Sequence, residues 1–166
     1  MANLKRLVLM RHAKSSWSSG APSDHERPLN KRGRRDAPMV GAELARLGWV
    51  PERVLSSDSA RTTETFSRMK ASLGFAGDAD FREDLYLASI PEVRAALSEL
   101  PDTVGTALIL GHNPGWEAVL EYLSGTEEPV KTASAALLSI EADTWPEAMG
   151  SRGAWSLAQI VQPREL

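Results

Sequence analysis

The chain has 166 residues, 42% of them hydrophobic and 25% charged, a profile that predicts a single domain, 1–166, able to bury a core. Its formal net charge of -3 argues against nucleic acid as the main partner, because duplex binding needs a basic face or stripe. With no cysteine, a disulfide framework, a thiolate metal site and a cysteine nucleophile are all excluded.

Lys5 to Met10 is a short apolar run that reads as a buried strand, with His12 at its C-terminal end. The same run, interrupted at Arg11, is too short for a secretory leader or a membrane span, so a cytoplasmic protein without a membrane partner is expected. Residues 18 to 28 form an irregular connection, and Asn30 is a plausible N-cap for a helix from Lys31 to Leu47, with Val40, Leu44 and Leu47 as its buried stripe.

Arg53 to Ser57 is a second strand, and Ser59 or a neighbour starts a helix to Leu73, which puts Arg61 in its first turn. Phe81 to Leu87 is ambiguous between strand and loop. Ser89 to Glu92 fits a capping box ahead of the amphipathic stretch Val93, Ala96, Leu97 and Leu100. Thr106 to Leu110 is the next strand, followed by a helix from Pro114 to Leu123 that Gly125 ends.

Ala135 to Glu141 and Ala154 to Val161 alternate as half-buried or edge strands do, with Gly150 to Gly153 as the turn between them. Strands separated by helix-length segments imply an α/β fold. We expect a three-layer α/β/α sandwich around a mostly parallel sheet, with an antiparallel portion toward the C-terminus.

In such sheets ligands gather at the carboxyl ends of strands. Arg11, His12, Arg61 and His112 all map to that edge, each arriving by a different connection. An imidazole can act as nucleophile or proton shuttle near neutral pH, and a guanidinium clamps oxyanions. Together they suggest phosphoryl transfer.

Arg11-His12-Ala13 resembles the Arg-His-Gly signature of the histidine phosphatase superfamily, which includes phosphoglycerate mutases. Ser57 to Thr65 resembles its second-arginine motif, Gly111-His112-Asn113 its second-histidine motif, and Arg27-Pro28-Leu29-Asn30 with Gly33 its helix-start motif. The matches run from residue 7 to about 116 in the family's order, and the small size with Arg11-His12-Ala13-Lys14-Ser15 is similar to the SixA-like phosphohistidine phosphatase branch. Ala13 stands where most members carry Gly, adding a methyl but removing no catalytic group. Ser18 falls where the mutase branch often has a phosphate-contacting Asn, which makes it a candidate phosphate ligand and argues against mutase-type substrate binding.

The resemblance implies a phosphoglycerate mutase-like fold, His12 as nucleophile, and Arg11, Arg61 and His112 as the phosphate pocket. Nearby guanidiniums would lower the His12 pKa, and His112 would serve as a cation or donor in the loose transition state. No cofactor is expected. The cationic clamp would also replace a metal; the competing reading, in which both histidines ligate one, is opposed by their spacing, by the lack of an adjacent carboxylate and by Arg11.

A leaving alkoxide would need an acid, for which Glu83 and its alternative Asp84 are candidates; a phosphohistidine substrate could dispense with it. Arg27, Lys31, Arg32, Arg34 and Arg35 form a basic cluster at a helix start, read mainly as a solvated face with Asp36 as local partner, or else as a steering patch. Trp17 reads equally as a pocket-rim aromatic or a partly buried anchor, and His25 as a surface residue without a partner. The expected substrate is a phosphorylated protein, with a small phosphate ester as the alternative. A phosphate-binding module without turnover is the alternative of another class.

Overall fold

The computed structural model describes residues 3–166. Its first strand, β1 (Leu4–Arg11), is apolar at four consecutive positions because both its faces are covered. Leu7 and Leu9 join one buried cluster and Val8 and Met10 the other, as the two-residue period of a strand requires. The remaining strands are β2 (Arg53–Ser57), β3 (Asp80–Arg82), β4 (Thr106–Gly111), β5 (Ala135–Glu141) and β6 (Ser156–Val161). They form one sheet in the order β3-β2-β4-β1-β5-β6. Pairings among β3, β2, β4 and β1 are parallel, whereas β5 runs against both β1 and β6.

Helices α1 (Lys31–Arg46) and α2 (Ala60–Leu73) cover one face through Val40, Leu44, Phe66, Met69 and Leu73. Helices α3 (Ile90–Ser98), α4 (Gly115–Ser124) and α5 (Trp145–Met149) cover the other through Val93, Leu97, Trp116, Leu120 and Trp145. The result is the expected α/β sandwich. Its helix starts are the ones the sequence announces: the Asn30 side chain accepts the Gly33 N–H at 2.9 Å, Ser59 caps α2, and Glu92 accepts the Ser89 N–H at 2.8 Å. Gly33 has a second reason to be glycine. A Cβ there would lie 2.1 Å from the Lys14 carbonyl oxygen, so the start of α1 is pressed against the loop that follows His12.

Three local expectations change. The ambiguous segment before α3 divides into the three-residue β3 and a 3-10 turn, Glu83–Leu85. The connection between the last two strands is more than a turn, because it carries α5, whose N-cap Thr144 accepts the Glu147 N–H at 3.1 Å. Five residues are too few to display a helical stripe, but the cap and Pro146 were legible start signals. Strand β5 is not half-buried at its start: Ala135 to Leu138 are all fully covered, since it lies inside the sheet under helices on both faces. Among the described residues no helix is long and apolar enough to cross a membrane.

Candidate active site

Register brings the two histidines together. β1 and β4 pair in parallel with Arg11 opposite Gly111, so His12 and His112 leave the sheet side by side, with ring centroids 5.3 Å apart. The His12 N–H donates to the Gly111 carbonyl at 3.0 Å. On the other side of β4, β2 ends at Ser57 and passes into α2, whose first turn carries Arg61. Because β4 is inserted between β1 and β2, the crossovers on the two sides of this edge cover opposite faces and open a crevice where strand order reverses.

His12 is buried, and its Nδ1 lies 2.7 Å from the Ala13 carbonyl oxygen. A carbonyl can only accept, so Nδ1 carries the proton and Nε2 keeps its lone pair. Burial is the main influence that pushes His12 down to about 3; the bond to Ala13 opposes it, while Arg61, Arg11 and Arg27 add to the depression. The arginines act in the expected direction, yet loss of solvent is the larger cause.

His112 is also depressed to about 3, first by burial and then by His12, Arg61 and Arg11, with Asp24 opposing. It is therefore a neutral ring near pH 7, which suits the expected role of donor. Its Nε2 lies 2.9 Å from Ser57 Oγ, while Nδ1 is buried without a partner. Arg11 Nε and Arg61 Nε are buried and unpartnered too. Natural proteins rarely leave three such groups together, and all three belong to residues that could hold an oxyanion.

Three further groups, Asp24, Arg27 and Tyr86, join the site, and sequence reading did not find their roles. Asp24, in the irregular loop, accepts from Arg61 Nη2 at 3.0 Å, from Arg27 Nη2 at 3.2 Å and from the Tyr86 hydroxyl. The Tyr86 bond is the largest influence holding its carboxyl near 2, with burial opposing and the two arginines assisting. Arg27 leaves the rest of the basic cluster and turns inward, bonded to Ser15 Oγ as well as Asp24. It makes a third guanidinium near His12. The Tyr86 ring meets His112 edge-on at 5.4 Å between centroids. Asp24 was not singled out because two of its three partners, Arg61 and Tyr86, lie 37 and 62 residues away, and only Arg27 is local.

Other candidates fall elsewhere. Glu83 is exposed, and among the described residues its side chain has no hydrogen-bond partner; what reaches the histidines from that segment is Tyr86. Asp84 forms two bonds to Arg82, at 2.9 and 2.8 Å, which hold its carboxyl below the usual range. Ser18 is exposed, with its N–H on Ser16 Oγ. Arg32 and Arg35 pair with Asp36, and Arg34 with Glu64, so this part of the cluster is a solvated, locally neutralised face. Trp17 is 79% exposed and stacks on Arg27 at 3.7 Å, which makes it a rim residue and not a buried anchor. His25 is not a partnerless surface group: its Nε2 lies 2.7 Å from Asp58, and its ring meets Tyr86 at 4.8 Å between centroids. It has a partner because the loop folds back over the start of α2, where the His25 carbonyl accepts the Ala60 N–H at 2.9 Å.

Among the described residues no group of three or more histidine, aspartate or glutamate side chains is arranged to hold a metal ion. The model of the histidine phosphatase superfamily (branch 1) matches residues 7–88. An uncharacterized chloroplastic protein of Arabidopsis thaliana is 39% identical over 171 residues, covering 96% of this chain and 78% of the relative. The chain belongs to the histidine phosphatase superfamily. Within it the structure is SixA-like: a protein of Nakamurella multipartitia, provisionally named phosphohistidine phosphatase SixA, superposes with a TM-score of 0.84 at 27% identity over 98% of each chain. A phosphoglycerate mutase from Bacillus anthracis shares the fold, with a TM-score of 0.65 at 16% identity over 95% of this chain and 93% of the other.

Proposed function

We propose that this protein is a metal-independent phosphatase that removes phosphate from phosphohistidine on a protein, through a phosphohistidine intermediate on His12. The observation that carries the reading is an imidazole nitrogen, Nε2 of His12, left without a hydrogen-bond partner among the described residues, in the same site as the buried, unpartnered nitrogens of Arg11, Arg61 and His112. Nε2 of His12 attacks phosphorus as the substrate's P–N bond breaks, and the departing ring nitrogen takes a proton from solvent. Water then attacks phosphorus, loses its proton to solvent, and restores His12 with release of inorganic phosphate. The guanidiniums and the Nδ1–H of His112 stabilise charge on the equatorial oxygens throughout.

Proton inventory favours the P–N substrate. Expelling an alkoxide calls for an acid near neutral pKa, whereas the carboxyl in contact with the arginine clamp, Asp24, is held near 2, Asp84 is committed to Arg82, and Glu83 is an exposed group on a segment whose contact with His112 is made by Tyr86. An imidazole is the better leaving group and makes a dedicated acid dispensable. The SixA name carried by the Nakamurella relative supports the same substrate class.

The test compares a histidine-phosphorylated protein with a panel of phosphosugars and nucleotides, in the presence and absence of chelator. Faster turnover of the phosphoprotein, indifference to chelator and loss of activity in His12→Ala are expected. Preference for sugar phosphates by a large factor overturns the substrate. Tight phosphate binding without turnover of any compound overturns the enzyme, and chelator sensitivity overturns metal independence.

A further inference from the structure

Arg11 serves a phosphoryl group only if its fork is aimed, and β1 does not aim it, because the strand ends at Arg11 itself. The guanidinium takes its direction from the Val130 carbonyl, to which Nη1 donates at 3.2 Å, while Nε stays buried without a partner among the described residues. Val130 lies in residues 126–131, an irregular connection between α4 and β5 that no helix or ladder fixes. Backbone of that kind holds a carbonyl in one direction only where other groups bond to it.

Those groups come from the start of α4. Oε2 of Glu117 accepts the Val130 N–H at 2.8 Å and an Asn113 Nδ2–H at 3.1 Å, and Asn113 Nδ2 also donates to the Val130 carbonyl at 2.7 Å. Both partners of this amide are acceptors, so its nitrogen must face them. Glu117, Asn113 and the two polar groups of Val130 thus close a ring of bonds, with Arg11 Nη1 attached at the carbonyl. Burial of the Val130 side chain in the core cluster already ties the segment to the fold, so what the ring adds is the direction in which the carbonyl points.

A carboxylate in the first turn of a helix is ordinarily explained by the helix dipole, and Glu117 stands in the first turn of α4. A dipole contact needs no bond to Val130, thirteen residues on. Glu117 also supplies the counter-charge at this corner: burial pushes Arg11 below its ordinary value, Glu117 opposes that, and Arg61 adds to it.

We infer that Glu117 is a positioning residue, which acts through Val130, with Asn113 as its tie, to aim the Arg11 guanidinium so that Nε is presented to the phosphoryl group. This rests on the reading of Arg11 as a phosphate ligand, and it holds whatever body carries the phosphate.

The experiment is a double-mutant cycle on hydrolysis of an aryl phosphate, with thermal unfolding followed in parallel. Glu117→Ala should lower kcat/KM about tenfold or more, because a misaimed group loses its orientational advantage. Glu117→Gln can set an amide oxygen where Oε2 stands and should recover activity to within about threefold of wild type. In an Arg11→Ala background, Glu117→Ala should cost less than about twofold further, because the group it aims is gone. Asn113→Ala removes a different bond from the same Val130 carbonyl; it enters the same cycle and decides the matter should Glu117→Ala fail to fold. An equal loss with and without Arg11, a glutamine variant as poor as the alanine variant, or an alanine variant as active as wild type each overturns the positioning role. Wild-type activity in Arg11→Ala overturns instead the phosphate pocket on which that role rests.

Discussion

Replacing Asp24 by Asn should tighten phosphate binding. In the free protein this carboxylate accepts from Arg61 at 3.0 Å and from Arg27 at 3.2 Å, so it competes for guanidiniums that a phosphoryl group needs. A phosphate oxygen on the same Arg61 fork would lie about 5 Å from the carboxylate, where two unit charges repel by roughly 3 kcal/mol at an effective dielectric near 20. The Asp24 side chain is 45% exposed, and solvent screening reduces that figure to about 1–2 kcal/mol, or roughly 5–30-fold in affinity. Asn keeps the shape and an acceptor for Arg61, so the loop retains its anchor while the charge is removed. Inhibition of aryl phosphate hydrolysis by inorganic phosphate at fixed pH and ionic strength measures the effect. Weaker inhibition in Asp24→Asn would refute the reasoning and show that the carboxylate serves mainly to aim the arginines.

Stability should depend on pH through the buried histidines. Both have folded pKa values near 3 against about 6.5 in an unfolded chain, so the unfolded state binds more protons between those values. Stability should be full above about pH 6.5 and fall as pH drops toward 3, by up to ~1.4 kcal/mol per pH unit per histidine; urea unfolding from pH 4 to 8 checks this, and His12→Ala should flatten the slope. Ser57→Ala removes the group bonded to His112 Nε2 and frees the ring to take the wrong tautomer, at a cost of about 1 kcal/mol or roughly five- to tenfold in kcat, and it lowers the melting temperature as well, because Ser57 Oγ also accepts the Ser59 N–H at the start of α2. Gly115→Ala would place a Cβ 1.8 Å from the Ala88 carbonyl oxygen, a clash with backbone that should destabilise the fold by about 1–3 kcal/mol in denaturant titrations.

How far the site was legible depended on what kind of signal placed each residue. His12 and His112 could be assigned to strand ends because short apolar runs stop beside them, and Arg61 to a first helical turn because Ser59 caps α2. Asp24 could not: its loop has no period or cap, and its importance comes from arginines three and thirty-seven residues away with a tyrosine sixty-two away. Arg27 was misgrouped for a related reason. Adjacent basic residues look alike in sequence, and only the fold separates the one that turns inward from those paired with Asp36 and Glu64. The acid candidates suggested by resemblance, Glu83 and Asp84, sit on a 3-10 turn whose buried residue is Leu85 and whose site-facing residue is Tyr86.

By itself, the sequence determined most of the strands and helices, though not β3 or α5; it also determined where most helices begin and which four residues stand at the carboxyl edge, because hydrophobic period and capping act within a few residues of the chain. Tertiary structure alone decided the register that puts Arg11 opposite Gly111 and so sets the two rings beside each other. It also decided the depth that keeps both imidazoles neutral and the carboxylate that meets the arginines. Those outcomes come from strand pairing and loss of solvent, which join groups far apart in the chain and leave no local trace.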